Sequence, residues 1–415
     1  MILEKYSMGV GDRFGRQGKA QLLAMVEAKA QGIEVVPVWN KSHREHTLIG
    51  TGPADVRAEA DAAVKALNWT LPYHVDADHV NNSNIDGFID PSDFFTLDVA
   101  DYIGKPCSPE AKQAFCDTFK KYIGKKTFDG GVSVEITEAD LTGAADKFLY
   151  AIEQAGVLYN RIAEAKGKDN FVTEVSMDEV DQPQTPAEML LILGMIAEKG
   201  IPAQTIAPRF AGAFYKGVDY VGNVEEFDRQ FYQHLAVIKF AVSEFGLPAS
   251  LKMSIHSGSD KFSLYAPVNK ALKQFGAGLH IKTAGTTWLE ELIGLCEAGG
   301  EAEKMVKEIY SRAWDRKDEL AAAYAAVIHV TNPPQPGDIA GLSGPELAAV
   351  IRHDSSNPKY NPELRQLFHI AYKIAAEMGN EYLDMLEKYE CVISEHVTGN
   401  ILDRHLVPVF RGLSG

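Results

Sequence analysis

Cysteine is scarce in this chain. Only Cys107, Cys116, Cys296 and Cys391 occur in 415 residues, and no two form a CxxC pair. That excludes a disulfide framework and leaves free thiols, as suits a reducing cytoplasm. Positive charge is also short: 41 Lys and Arg face 57 Asp and Glu, a formal net charge of -16. An acidic chain without a basic stripe excludes nucleic acid and anionic membrane as main partners, although a local basic pocket for an anionic substrate stays open. No apolar run approaches the ~20 residues of a membrane span. The start, "MILEKYSMGVGDRFG", lacks the charged-then-apolar pattern of a signal peptide. Internal repeats and low-complexity tracts are missing too. What remains is an ordinary globular composition, 46% hydrophobic and 24% charged, long enough for one large α/β domain with an extension.

Strand-like and helix-like segments alternate from the first residues. Strands are predicted near residues 5–10, 33–39, 72–77, 94–98, 170–177, 203–209, 250–256 and 278–283. Helical spacing fills most of the gaps, for example Val56, Ala60, Ala63 and Leu67 along one side, and a long helix from Ala144 to Ala165. Thr185-Pro186-Ala187-Glu188 is a capping box with proline at the first helical position. Gly246 closes another helix, and Thr287 with Glu290 is expected to open one more. Eight strands in βα alternation over about 290 residues predict a (β/α)8 TIM-type barrel over residues 1–299. Residues 300–415 are mostly helical in pattern, broken at "NPPQPG", and are expected to form a helical extension packed on the barrel.

In such a barrel the active site lies at the C-terminal ends of the strands. The ionisable residues expected there are Asp76, Asp78 and His79 after the third strand; Glu174, Asp178 and Glu179 on the fifth; Arg209 on the sixth; Lys252 and His256 on the seventh; and His280 and Lys282 on the eighth. Strand alternation puts Lys252, Ser254 and His256 on one face, His280 with Lys282 on one face, and Glu174, Ser176 and Asp178 on one face. Three histidines from three strand ends beside carboxylates suit a divalent metal such as zinc or nickel with an open position. The spacing is not a compact motif of the HExxH kind. Each residue also has a structural reading: a hydrogen-bonded rim histidine, a turn at "HSGSDKF", an ion pair of Glu174 with Lys252, and structural or surface roles for His234 and His369. "GVGDRFG" misses the GxGxxG spacing and lacks the acidic residue after a second strand, which argues against a nicotinamide site.

The segments "GDRFG", "DADHV", "IDPSD", "EVSMDEVDQPQTP", "RF" with "KGVDYVGN", "KMSIHSGSDKFSLYAP" and "LHIKTAGT" keep one order over residues 7–290, and "RQLFHIAY" adds a weaker match. In these the chain resembles the tagaturonate epimerase family, whose members carry an extra segment before "GDR". The Asp-His pair is also similar to that of class II metal-dependent aldolases. The resemblance implies His79, His256 and His280 as metal ligands, Asp78 as proton acceptor and Glu174 as the opposing donor, with Asp178 and Glu179 as alternatives for that second role. It also implies a divalent metal (zinc, nickel, manganese or similar) and a ketouronate or neutral ketohexose substrate. Asp78 and His79 would point oppositely on a regular strand, so the strand has to break there for both to reach one site. His74 and Asp76 are expected to be supporting. A homo-oligomer is an open expectation.

The two ketouronates differ at C4, where the proton is not acidic, but the C4 hydroxyl is β to the C2 ketone. The resemblance therefore implies retro-aldol cleavage of C3–C4 and re-addition on the other face, with acid/base groups on both sides. Lys252, Lys282 and Arg209 are expected to neutralise the enediolate or hold the carboxylate. The rivals are a true ketose aldolase, a redox epimerase with bound nicotinamide, and a non-catalytic sugar-binding barrel.

Overall fold

The computed structural model describes residues 1–178, 180–283, 285–322 and 324–413. Its strands are β1 (Tyr6–Val10), β2 (Val36–Ser42), β3 (His74–Val80), β4 (Phe94–Asp98), β5 (Gly124–Thr127), β6 (Ser133–Ile136), β7 (Val172–Ser176), β8 (Thr205–Ala207), β9 (Lys252–His256) and β10 (Leu279–Lys282). Eight of them, all parallel, close into a barrel in the order β1-β2-β3-β4-β7-β8-β9-β10, with β10 returning to β1. Each of the eight segments expected to be a strand is one of these. The barrel strands are buried along nearly their whole length, because helices cover the outside and side chains fill the inside.

Helices follow most strands, and several have a recognisable start. Thr137 caps Glu138–Lys166 in a capping box with Asp140, and Thr185 caps Pro186–Glu198 in one with Glu188. Gly246, in the left-handed conformation, closes Val224–Phe245. One expected start differs. The helix Thr286–Ala298 begins after Gly285, so Thr287 lies inside it. The Thr287 hydroxyl accepts from Gln21 Nε2 at 3.0 Å instead of capping. The β3–β4 connection holds only a short 3-10 turn, Ile85–Gly87. The antiparallel hairpin β5–β6 was not foreseen, since its strands are four residues long and half exposed.

After the barrel, helices from Gly300 to Phe410 pack on the barrel's last helix and its first. Trp288 Nε1 donates to Phe368 O at 2.7 Å, and Thr398 Oγ1 donates to Ala20 O at 3.0 Å. Phe14, Trp288 and Tyr382 form a buried aromatic cluster with centroids 4.8–5.6 Å apart, each pair worth about 0.5–1.5 kcal/mol beyond its buried area. A Cβ on Gly294 would meet Ile393 Cα at 2.8 Å, so the two helices approach at backbone contact. No helix among the described residues is long and apolar enough to cross a membrane.

Candidate metal and acid/base site

The strand break required at Asp78-His79 is present. His79 has φ of 52°, in the left-handed region, and the β3–β4 register shifts between Ala77 and Val80. This bulge turns two consecutive side chains toward one mouth. His79 Nδ1 lies 3.1 Å from Asp98 Oδ2 at the end of β4, which orients the ring. Its Nε2 is 3.9 Å from Asp78 Oδ1.

His256, at the end of β9, stands edge-on to His79 with centroids 5.2 Å apart. Its Nε2 is 2.8 Å from Glu174 Oε1, and its Nδ1 is 3.1 Å from Asp178 Oδ2. Ser176 Oγ donates to Asp178 Oδ1 at 2.5 Å. One ligand atom from each of His79, Asp178 and His256 lies within 4.8 Å of the others. Two imidazoles and a carboxylate on three strand ends, with one side open to the barrel mouth, are a donor set that fits a divalent cation.

Beside it Lys282 crosses the barrel interior. Its Nζ is 2.7 Å from Asp76 Oδ2, 2.9 Å from Asp78 Oδ1, 3.1 Å from Glu174 Oε1 and 2.6 Å from Thr96 Oγ1. Gly9 is glycine for this reason: a Cβ there would meet Lys282 Cγ at 2.8 Å. Glu174 Oε2 is buried with no partner among the described residues.

The electrostatics follow from this packing. Burial opposes the charge on Lys282, but Asp76, Asp78 and Glu174 hold its pKa well above the usual lysine value. Burial raises Asp76 to about 7, with Asp78 and Glu174 adding repulsion against the pull of Lys282. Asp78 resists burial because Lys282 and His79 draw it down to about 2. Glu174 is likewise held well below the carboxylate range by Lys282 and His256. Burial disfavours charge on His256, yet Asp178 and Glu174 lift it to about 9. Five carboxylates (Asp76, Asp78, Asp98, Glu174, Asp178) thus surround one lysine and two histidines. A divalent ion in place of the two imidazole protons would leave this charge unchanged, so a cage that holds two charged imidazoles also suits a dication.

The sequence-predicted residues divide by depth. Asp78, His79, Glu174, Asp178, His256 and Lys282 come together, whereas Glu179 lies outside the described residues. His280 is not brought into the cluster. It shares a face with Lys282 but sits two residues lower, where its Nδ1 pairs with Ser7 Oγ at 2.9 Å and burial drops its pKa to about 3. Lys252 is at the opposite end of β9, about 13 Å of strand from His256. Its Nζ donates to Leu3 O and Glu4 O at 3.1 and 2.6 Å, so it is no partner for Glu174. Arg209 lies beyond β8, where its Nη2 donates to Gly212 O at 3.3 Å. His74 is at the lower end with Glu4 and Asp93, while Asp76 joins the Lys282 cage. His234 and His369 are both buried. Sequence reasoning missed Asp98 and Thr96, although Asp98 ends a foreseen strand and Thr96 faces inward two residues before it.

Residues 1–407 match the model of the tagaturonate epimerase (UxaE) family. The tagaturonate/fructuronate epimerase of Thermotoga maritima is 28% identical over 415 residues, covering 96% of this chain and 80% of that protein. The native crystal structure of the fructuronate-tagaturonate epimerase of Cohnella laeviribosi superposes with a TM-score of 0.81 at 25% identity, covering 99% of this chain and 82% of that one. The same enzyme with one glycerol bound gives 0.78 at 25% identity, covering 97% and 82%.

Proposed function

The chain belongs to the tagaturonate epimerase family and is a sugar epimerase, and from that premise we propose that it inverts C4 of a ketouronate, interconverting D-tagaturonate and D-fructuronate, by retro-aldol cleavage and re-addition at a metal-holding site. The observation that carries this reading is the adjacency of two sets of groups. His79, Asp178 and His256 would hold the ion, and Lys282 joins Asp78 to Glu174 beside them. When bound, a divalent ion supplies Lewis-acid polarisation of the C2 carbonyl.

The chain's own residues account for the proton movements. Asp78 is ionised and accepts the proton of the C4 hydroxyl. The C3–C4 bond breaks, its electron pair passing to the C2 carbonyl while C4 becomes an aldehyde. The Lys282 ammonium neutralises the enediolate charge in a water-poor interior. After the aldehyde turns, C3 adds to its other face, and a proton returns to the new C4 oxygen from the opposite side, where Glu174 stands. Both carboxylates are low in pKa in the resting site, so each begins as a base; the proton Asp78 takes reaches Glu174 through the Lys282 ammonium between them, which gives a proton to Glu174 and takes one from Asp78, and Glu174 then delivers it to the new C4 oxygen. Asp98 orients His79 throughout. We place the enzyme in the cytoplasm, in keeping with its unpaired thiols.

An NMR time course with D-tagaturonate, in parallel with D-tagatose, with and without chelator, tests this. Chelator-sensitive formation of fructuronate is expected. Released three-carbon fragments would move the assignment to an aldolase, and no turnover of either sugar by metal-loaded protein would sink it.

A further inference from the structure

Lys282 starts on β10 and ends against β4, the strand four places away round the barrel in either direction. The oxygen it meets there is Thr96 Oγ1, at 2.6 Å, closer than any of its three carboxylate partners. Thr96 is fully buried. It pairs in register with Glu174 on β7, while β3, which carries Asp76 and Asp78, lies on its other side. Branched apolar side chains ordinarily fill such an interior. Valine would occupy the same volume, so what threonine adds at this level is a hydroxyl.

The hydrogen-bond count shows what that hydroxyl does. An ammonium has three N–H groups and no acceptor, and a hydroxyl has one proton. Lys282 therefore donates to Thr96, and the Thr96 proton is left for a carboxylate. Asp76 is placed to take it. Both of its oxygens lie 3.0 Å from Thr96 Oγ1, and Thr96 N donates to its Oδ1 at 3.2 Å. Glu174 Oε1 stands 3.1 Å from the same hydroxyl. Asp76 Oδ2 is also 2.7 Å from Lys282 Nζ, but with two donors from Thr96 it needs the lysine least. The other two N–H groups then fall to Asp78 at 2.9 Å and Glu174 at 3.1 Å. The γ-methyl of threonine restricts rotation about Cα–Cβ, which keeps the hydroxyl where it is.

We propose that Thr96 is a positioning residue that centres the Lys282 ammonium between Asp78 and Glu174, with Asp76 anchoring its hydroxyl. The proposal deepens the epimerase reading and rests on it. In the proton exchange the ammonium gives one proton to Glu174 and takes one from Asp78, so lysine ends as it began. That exchange runs only while both carboxylates are within hydrogen-bond reach of one nitrogen. The return reaction uses the same pair in the other order. Without the hydroxyl the nitrogen loses its tie to β4. It then settles with the two aspartates of β3, whose joint charge outweighs that of Glu174, and Glu174 is left with His256 at 2.8 Å.

The test measures kcat and KM for D-tagaturonate, and metal per chain, in the metal-loaded wild type, Thr96→Val and Thr96→Ser. In Thr96→Val, which keeps the volume, kcat is expected to fall by about 10- to 100-fold, as a misplacement of about 1 Å implies. KM and metal content should stay near wild type, and Thr96→Ser should recover most of kcat. Thr96→Ala carries the same expectation as valine should that variant not fold. A second arm does not depend on turnover. It records the nitrogen–proton NMR spectrum of protein with isotope-labelled lysine side chains, Lys282 being assigned by the signal lost in Lys282→Met. That signal should move in Thr96→Val and return toward its wild-type position in Thr96→Ser. If this pattern is seen while the wild type turns over neither sugar, the epimerase reading alone fails and the centring of Lys282 stands. Unchanged kcat in Thr96→Val, an equal loss in Thr96→Ser, a loss that comes with lower metal content or raised KM, or a Lys282 signal indifferent to the hydroxyl overturns the proposal.

Discussion

Arg365 and Asp260, 105 residues apart, meet with Nη2 2.7 Å from Oδ2, and neither side chain is exposed. Arg365 Nε also donates to Gly217 O at 2.6 Å, and Asp260 takes further hydrogen bonds from Thr286 Oγ1 at 2.8 Å and His353 Nδ1 at 3.0 Å. The pair ties the loop after β9, four residues past His256, to the C-terminal helices. Removing one partner of such a pair leaves a buried charge, at a cost of about 3–5 kcal/mol. Arg365→Met should therefore lower unfolding stability by that amount in urea titration. A loss under about 1 kcal/mol would show that the pair does not hold the extension to the barrel.

Metal content should separate the histidines that the barrel places at different depths. His256→Gln and Asp178→Asn are expected to weaken metal affinity by more than about 100-fold, beyond the effect typical of outer-shell partners. His280→Gln, whose ring pairs with Ser7, should leave metal per chain near the wild-type value by elemental analysis. Metal loss on His280→Gln alone would transfer the ligand role to it.

Asp78→Asn should keep metal and fold but lower kcat by about 10²- to 10⁴-fold, the range for removing a general base. Near-normal turnover would take the proton-acceptor role away from Asp78.

Gly9→Ala is a milder probe of the same chemistry. The added methyl meets Lys282 Cγ, so the ammonium must shift away from Asp78 and Glu174. Turnover should fall at least about tenfold, since misplacement of this order near the chemistry costs up to 10²-fold. Unchanged kcat would mean that Lys282 tolerates displacement.

At the lower end of the barrel, burial opposes charge on His74, but Asp93 and Glu4 raise its pKa from 6.5 to about 9. A raised histidine stabilises the fold fully below pH about 6.5 and loses that contribution as pH rises toward 9. The shift corresponds to roughly 3 kcal/mol. Lys252 nearby is lowered to about 7 by burial and shifts stability the opposite way above that pH, so the comparison must be with a variant. The stability gap between wild type and His74→Gln should be widest near pH 6 and shrink by pH 9.5 in urea titrations. A pH-independent gap would leave His74 without this linkage.

By itself the sequence determined the order of the elements and the kind of chemistry. Eight short apolar runs separated by helical spacing admit few folds, and period-two alternation already showed which side chains share a face, as for His280 with Lys282 and Lys252 with His256. The Asp78-His79 conflict even demanded a strand break, which appears as a bulge with φ of 52° at His79. Depth within the barrel was decided only by the tertiary structure. Closing eight staggered strands sets which residue of each comes level with its neighbours, and one step of two residues divides Lys282 among its carboxylates from His280 against Ser7. The meeting of Asp260 with Arg365, and of His369 with Gly285, was equally beyond sequence reading, because contacts across such chain separations are selected by packing and leave no local periodicity.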